Sequence, residues 1–289
     1  MKIYNNPNLN PKHHGGIIAI GNFDGVHLGH RKVINDAKKK AKRNKLPFGL
    51  MTFEPVPVMF FNKKIKNHRI NSLEQKKNQL KKLKLDFLII IKFNKNFSSL
   101  SAEEFIKKII HKKTRCRFLY VSKNFRFGFK RKGNIEVLKK YETQYNFKNV
   151  IVKPFKIKRK TISSTFIRKK IRKGEIEKVN KLLNRNWSIQ GRVIKGQKRG
   201  RKIGFPTCNL KLESYVIPRR GVYAVKVKTN NISNNGIANI GYRPTFNGQS
   251  LLLETNIFGI NKNLYNKVIT VGFKKFLRAE KKFKSFEYL

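Results

Sequence analysis

Apolar residues in the first half of the chain come in short solid runs. Ile17-Ile18-Ala19-Ile20 is uniformly apolar and too brief for a helix, so it predicts a strand buried on both faces. Val33, Ile34, Ala37 and Ala41 follow at helical spacing and predict an amphipathic helix. Similar solid runs at 48–53, 87–91, 118–121 and 150–152 predict further strands. Between them, Ser72-Leu73-Glu74-Gln75 and Ser101-Ala102-Glu103-Glu104 carry the capping-box pattern of helix starts, and 135–145 predicts another helix. Alternating strands and helices predict an α/β fold: a Rossmann-like parallel sheet with right-handed crossovers and ligands at the carboxyl ends of its strands.

A helical pattern over about 164–183, broken near Gly174, closes this part. From Trp187 the pattern changes to short strands separated by Gly, Pro and Asn turns: 188–194, 208–212, 222–227, 236–240, 251–258 and 268–273. That predicts a small antiparallel β-barrel. The expected domains are 1–185, α/β, and 186–289, barrel, with the boundary at 184–186. A length of 289 residues accommodates two modest domains.

Charge adds one question. Lys and Arg number 68 against 15 Asp and Glu, a net +53. Such an excess suits a nucleic-acid partner. It equally suits mutational bias, because Lys, Asn, Ile and Phe all use A/T-rich codons. The even spread of lysines favours bias, with salt-sensitive, non-specific sticking to polyanions. The two cysteines, Cys116 and Cys208, form neither a disulfide framework nor metal-ligand spacing, so a reducing cytoplasm is expected. No apolar run reaches the about 18 residues of a membrane span, and the polar start at 5–11 lacks the apolar region of a signal peptide. Acids are scarce: the aspartates are Asp24, Asp36 and Asp86, and beyond Trp187 only Glu213, Glu254, Glu280 and Glu287 remain.

The candidate chemistry begins at Gly21-Asn22-Phe23-Asp24-Gly25-Val26-His27-Leu28-Gly29-His30. Two histidines three apart, where a strand gives way to a helix, share one helical face. The free N–H groups and dipole of that helix start suit phosphate, and the glycines permit its close approach. Ser163-Ser164-Thr165 with Arg168 offers hydroxyls and a guanidinium for phosphate, or an ordinary Ser/Thr cap with a solvated arginine. Gly196, Gly200 and Gly204, interleaved with Lys198, Arg199, Arg201 and Lys202, form a phosphate-covering loop or a charged surface hairpin. In Pro206-Thr207-Cys208-Asn209, Thr207 and Asn209 face one side of an extended strand and carry the hard oxygens that Mg²⁺ prefers. Glu254 interrupts an apolar run, either as a partly buried functional carboxylate or on a solvent face.

These motifs, with Thr52-Phe53-Glu54-Pro55, Asn124-Phe125-Arg126-Phe127-Gly128 and Gly221-Val222-Tyr223-Ala224-Val225, occur in one order. The chain thereby resembles, over nearly its whole length, the bacterial bifunctional riboflavin kinase/FMN adenylyltransferases, or FAD synthetases. The resemblance implies that the barrel makes FMN from riboflavin and ATP. It implies that the α/β domain makes FAD from FMN and ATP, releasing pyrophosphate. It assigns His27 and His30 to the phosphates, Gly21, Asn22, Phe23 and Asp24 to the nucleotide turn, and Ser163, Ser164, Thr165 and Arg168 to the β- and γ-phosphates. Asn124 falls near the flavin, and so does Arg278 in Arg278-Ala279-Glu280. In the barrel, Gly196 and Lys202 accompany the ATP phosphates, Thr207 and Asn209 hold Mg²⁺ with ATP, and Glu254 is general base on the ribityl 5′-hydroxyl.

The ligands implied are riboflavin, FMN, FAD and ATP. No membrane or specific nucleic-acid partner is expected, and the chain is expected to be a monomer or weak oligomer. Departures from the family pattern are Ser122 and Lys123 in place of a glycine and a second polar residue, Asn256 in place of a histidine, and no aspartate near Gly259. The C-terminus also looks short of the helix with which relatives continue. Two other readings follow: an FMN adenylyltransferase with a decayed kinase barrel, and a basic nucleic-acid-binding protein on a vestigial nucleotidyltransferase fold.

Overall fold

The solid apolar runs at 17–20, 48–53, 87–91 and 118–121 become the interior of a parallel sheet, and 150–152 its partly exposed edge, in the computed structural model, which describes residues 1–196, 206–229, 233–245, 248–260 and 263–280. The chain divides into two units: Met1–Ile65 with Lys76–Ile162, and Lys66–Gln75 with Ser163–Leu289.

In the first unit, β1 (Lys2–Tyr4), β2 (Ile17–Ile20), β3 (Phe48–Glu54), β4 (Phe87–Lys92), β5 (Phe118–Ser122) and β6 (Lys148–Val152) form one sheet in the order β1-β4-β3-β2-β5-β6. Every pairing is parallel. All four residues of β2 are buried, as a strand covered on both faces must be. From β2 the chain winds outward to β3 and β4, then returns to the other side of β2 for β5 and β6. That reversal makes the carboxyl end of β2 a topological switch point, where open α/β sheets bind ligands. Helix α1 (Leu28–Arg43) leaves from that point and buries Ile34, Ala37 and Ala41.

Short helices α2 (Pro57–Phe61), α3 (Leu73–Lys81), α4 (Lys95–Ser98) and α5 (Ala102–Glu104) follow in chain order. Both expected capping boxes form: Gln75 N–H donates to Ser72 Oγ while Ser72 N–H donates to Gln75 Oε1, and Ser101 and Glu104 do likewise. Beyond α5 the chain widens into a π-helix, Phe105–Lys113, which buries Phe105, Ile106, Ile109 and Ile110. The helix expected over 135–145 is shorter: α6 spans Ile135–Lys140. Beyond it Tyr141 stacks on Tyr145, Asn146 takes a left-handed turn (φ 48°), and Phe147 is buried, which drives the chain into β6. A two-residue hairpin, β7 (Lys156–Ile157) with β8 (Lys160–Thr161), completes the unit.

The second unit carries α7 (Ser164–Arg172), α8 (Ile176–Leu183) and an antiparallel sheet. Its strands are β9 (Ser188–Arg192), β10 (Thr207–Lys211), β11 (Gly221–Lys228), β12 (Ser233–Thr245), β13 (Gly248–Ile257) and β14 (Val268–Arg278), in the order β10-β13-β12-β11-β14-β9. An antiparallel bridge between Ile194 and Asn209 joins the two edges and nearly closes a barrel. Leu210, Leu253 and Ile240, then Thr255, Ala238 and Tyr223, fill its interior. Residues Lys66–Gln75 belong to this unit: the Trp187 indole donates to Ile70 O (2.7 Å), Gln75 Nε2 to Ser188 Oγ (3.0 Å), and Tyr215 OH to Gln75 Oε1 (2.9 Å).

Candidate functional sites

At the switch point the chain leaves β2 in a tight turn. Gly21 N–H donates to Met51 O (3.1 Å), and Asn22 is exposed with its carbonyl accepting from Thr52 Oγ1 (3.2 Å). Phe23 and Val26 hold φ of 47° and 42°, a region costly to side-chain-bearing residues and above all to β-branched Val26. Such strain persists only where the surroundings over-determine the turn. Asp24 and His27 are both buried. His27 is the N-cap of α1: its Nδ1 accepts from the His30 N–H (3.3 Å). Neutral His27 therefore carries its proton on Nε2, which makes that atom a donor. A Cβ at Gly29 would come within 3.1 Å of the His27 ring, so glycine is what admits the imidazole there.

The imidazoles of His27 and His30 stack with centroids 3.6 Å apart and planes 20° apart, and Phe23 meets His30 edge-on at 5.2 Å. Burial first, then the charges of His27 and Lys76, holds the His30 pKa well below the ordinary 6.5. His30 is thus neutral near pH 7, and its buried Nδ1 has no hydrogen-bond partner among the described residues. Two adjacent imidazoles, one with a fixed donor and one with an unused buried nitrogen, are suited to oxygens on which negative charge develops.

The neighbouring strand ends complete this edge of the sheet. Asn124 is exposed on the turn after β5, beside stacked Phe125 and Phe127. Beyond β3 and β4, Phe60, Phe61 and Phe93 meet one another edge-to-face at 5.2–5.6 Å. Phe61 is nevertheless 68% exposed. An aromatic ring held by two others yet open to water is a stacking surface, and the apolar pattern gave no sign of it. Lys76, which is 1% exposed and donates to Thr52 Oγ1 (3.3 Å), also went unnoticed in a lysine-rich helix.

In the second unit Ser163 caps α7 by accepting from Phe166 N–H (3.2 Å). Ser164 is half-buried and Thr165 exposed in the first turn. Arg168 is buried rather than solvated, one of its guanidinium nitrogens 3.4 Å from Thr165 Oγ1. Arg168, Arg172 and Arg69 all bear on His68, whose pKa is lowered to about 4, mostly by burial and then by these three cations.

On the barrel, Asn209, Glu254, Asn239, Val222 and Arg278 occupy successive strands in one transverse row. The rows on either side point inward, so this row points outward. Thr207 pairs with Asn256 in the next outward row. The structure thus sets Thr207, Asn209 and Glu254 on one face, with exposed Arg278 at the far end of the row. Asn209 and Asn239 flank Glu254, and the buried Oδ1 of each lacks a hydrogen-bond partner among the described residues. Asn239 was not foreseen, because nothing in the sequence reveals strand register. Gly196 lies so close to Asn209 Nδ2 that a Cβ would collide with it. Asn256, two residues beyond Glu254, donates to Pro206 O (2.9 Å) and so ties down the strand that carries Thr207 and Asn209. Lys202, with Gly200 and Gly204, lies outside the described residues.

A parallel sheet with a His-x-Gly-His turn at its switch point, followed by an antiparallel barrel, is a nucleotidylyltransferase-type domain joined to a second module. Comparison with known proteins agrees. The family described as FAD synthetase matches residues 9–166, and that described as riboflavin kinase matches 183–289. A bifunctional riboflavin kinase/FMN adenylyltransferase of Buchnera aphidicola (subsp. Schizaphis graminum) is 43% identical, covering 94% of this chain and 89% of the relative. The protein of that description from Escherichia coli K12 is 35% identical, covering 95% and 88%. A crystal structure from Streptococcus pneumoniae, solved as a macrolide-efflux protein, superposes with a TM-score of 0.85 at 30% identity, covering 99% of this chain and 93% of that one. Among the described residues here, no helix is long and apolar enough to cross a membrane. The chain belongs to the bifunctional riboflavin kinase/FMN adenylyltransferase family.

Proposed function

We propose that this chain phosphorylates riboflavin to FMN on its barrel, residues 186–289, and adenylylates FMN to FAD at the parallel sheet, residues 1–185, with ATP as donor in both. The observation that carries this is the ordered match of both family descriptions along one chain, each spanning its own constellation of polar side chains. It favours the two-activity reading over a lone adenylyltransferase or a nucleic-acid-binding protein. The proposed setting is the cytoplasm, with no membrane or specific nucleic-acid partner and a monomeric or weakly associated chain.

In adenylyl transfer an FMN phosphate oxygen attacks the ATP α-phosphorus and pyrophosphate leaves. His27, through Nε2–H, and His30 donate to phosphate oxygens as charge builds. Gly21, Asn22, Phe23 and Asp24 shape the nucleotide turn, and Ser163, Ser164, Thr165 and Arg168 take the β- and γ-phosphates. Phe61 stacks on the isoalloxazine, and Asn124 hydrogen-bonds the flavin nucleotide.

In the kinase reaction Glu254 accepts the ribityl 5′-hydroxyl proton as that oxygen attacks the γ-phosphorus and ADP leaves. Arg278 binds the flavin, and Gly196 and Lys202 belong to the phosphate-covering loop. The buried, unpartnered Oδ1 of Asn209, two residues along the strand from Thr207, fits a hard cation, so these two side chains would hold Mg²⁺ with ATP. When bound, Mg²⁺ supplies neutralisation of the phosphate charge.

A product assay tests the reading. Purified protein in high salt receives ATP and Mg²⁺ with either riboflavin or FMN, and the flavins are separated by chromatography. FAD from both reactions is expected. FAD from FMN alone would leave an adenylyltransferase with an inactive barrel, and no product from either would overturn the proposal.

A further inference from the structure

We infer that Lys76 is a positioning residue for adenylyl transfer: its ammonium, through Thr52, holds the Asn22 carbonyl of the nucleotide turn. The inference rests on the adenylyltransferase reading above.

Lys76 is 1% exposed, although lysine is among the residues least often buried. A methionine or leucine would fill that volume without desolvating a charge, so packing does not account for it. The direction of its contacts does. An ammonium only donates, so at 3.3 Å Thr52 Oγ1 must accept from Lys76 Nζ. The single hydroxyl proton is then committed to Asn22 O at 3.2 Å. Thr52 is itself fully buried. The relay Lys76–Thr52–Asn22 thus has one polarity, and a charged end strengthens both links. It anchors a turn whose Phe23 and Val26 hold left-handed backbone. A strained turn needs such an anchor, and small displacement of the reacting groups costs rate steeply.

The second effect is electrostatic. The charged or titratable groups bearing on His30 are His27, from its own turn, and Lys76, from α3. Both disfavour its protonation, so Lys76 helps to keep His30 neutral.

The full-length chain is compared with its Lys76→Met, Lys76→Arg and Thr52→Val variants. Initial rates are read for FAD from FMN and, in the same preparations, for FMN from riboflavin. In parallel, His30 is titrated by NMR in the ligand-free proteins, its signal assigned with His30→Gln. Lys76→Met is expected to lower kcat for FAD formation by about tenfold or more, with KM for FMN and the kinase rate changed less than about twofold. Its His30 midpoint should rise toward the ordinary histidine value, and Lys76→Arg should restore most of both. Thr52→Val should lower kcat but leave the His30 midpoint in place, since the charge remains.

A Lys76→Met protein with wild-type kcat and an unmoved His30 midpoint would overturn the inference. Should that variant not fold, wild-type kcat in Thr52→Val would overturn the relay. If the wild type makes no FAD, the functional reading fails instead, and the His30 midpoints still decide whether Lys76 acts on His30.

Discussion

His27 caps the helix that carries His30: Nδ1 of one accepts the backbone N–H of the other at 3.3 Å, and the two rings stack. One side chain therefore ends a strand-to-helix turn and, in the proposed reaction, presents Nε2–H to phosphate. The two roles are separable. Asparagine is a good N-cap without the imidazole donor, whereas alanine loses both. His27→Asn should leave stability near wild type and lower FAD formation by about 10²-fold, the cost of one donor to a charged transition state. His27→Ala should be equally inactive and in addition about 1 kcal/mol less stable. Urea titration beside rate measurement checks both. A fully active His27→Asn protein would show that capping is the only role.

A pH dependence follows from His68. Burial and the cations Arg168, Arg172 and Arg69 lower its pKa to about 4, against 6.5 when unperturbed. The unfolded chain thus takes up the proton more readily than the folded one. Stability from this group is full above about pH 6.5 and is lost as pH falls through about 4. Replacing His68 by Gln removes the titration. The stability difference between wild type and His68→Gln should therefore move against the wild type as pH falls from about 6.5 to 4, read from denaturant midpoints at several pH values. A difference that does not change with pH would show that His68 titrates normally.

The interior strands were legible because a strand covered on both faces must be apolar throughout, as β2 is. The helix starts at Ser72, Ser101 and Ser163 were legible because capping is local. The histidine turn was legible because its residues adjoin in sequence. The outward row of the barrel was not: Asn209 and Glu254 are 45 residues apart and meet only through register. Lys76 looked like one more solvated lysine beside Lys77 and Lys81, since burial depends on what packs over a helix face. Phe61, whose ring stands in water, left no mark either, since exposure too depends on what packs nearby. The docking of Lys66–Gln75 on barrel residues such as Trp187 is likewise long-range and leaves no local mark.

Trp187 offers a test of that docking. It is 1% exposed, packs on Phe273 at 4.7 Å, and its indole N–H is paired with Ile70 O. Trp187→Phe would leave that carbonyl without this donor and a void beside Phe273. A loss of about 2–4 kcal/mol is expected from an unsatisfied buried group and a small cavity together. Denaturant unfolding followed by far-UV circular dichroism measures it, and a loss below about 0.5 kcal/mol would mean that the indole contact contributes little.

Phe61 should act on flavin affinity rather than on chemistry. Its exposed ring is held by Phe60 and Phe93, so stacking on an isoalloxazine costs little ordering. Removing one aromatic contact is worth about 0.5–1.5 kcal/mol. Phe61→Ala should raise KM for FMN in the adenylyl reaction about two- to tenfold with kcat little changed. An unchanged KM would place the flavin elsewhere on the sheet edge.

Substitution of Glu254 should separate the two activities. It lies between Asn209 and Asn239 on the outward face of the barrel, where few other carboxylates exist to take the proton of an attacking hydroxyl. Glutamine keeps its size and hydrogen-bonding reach but cannot accept that proton. Glu254→Gln should lower FMN formation from riboflavin by about 10²–10⁴-fold. FAD formation from added FMN should stay at the wild-type rate, because no step there uses Glu254. Asn209→Ala should behave differently in the kinase assay, raising the concentration of ATP and Mg²⁺ needed for half-maximal rate. If Glu254→Gln makes FMN as fast as wild type, with the preparation shown free of host kinase by an empty-vector control, the general base is another group. If both reactions fall together, the substitution has damaged the fold, and the Asn209→Ala rates then decide whether this face of the barrel is the kinase site.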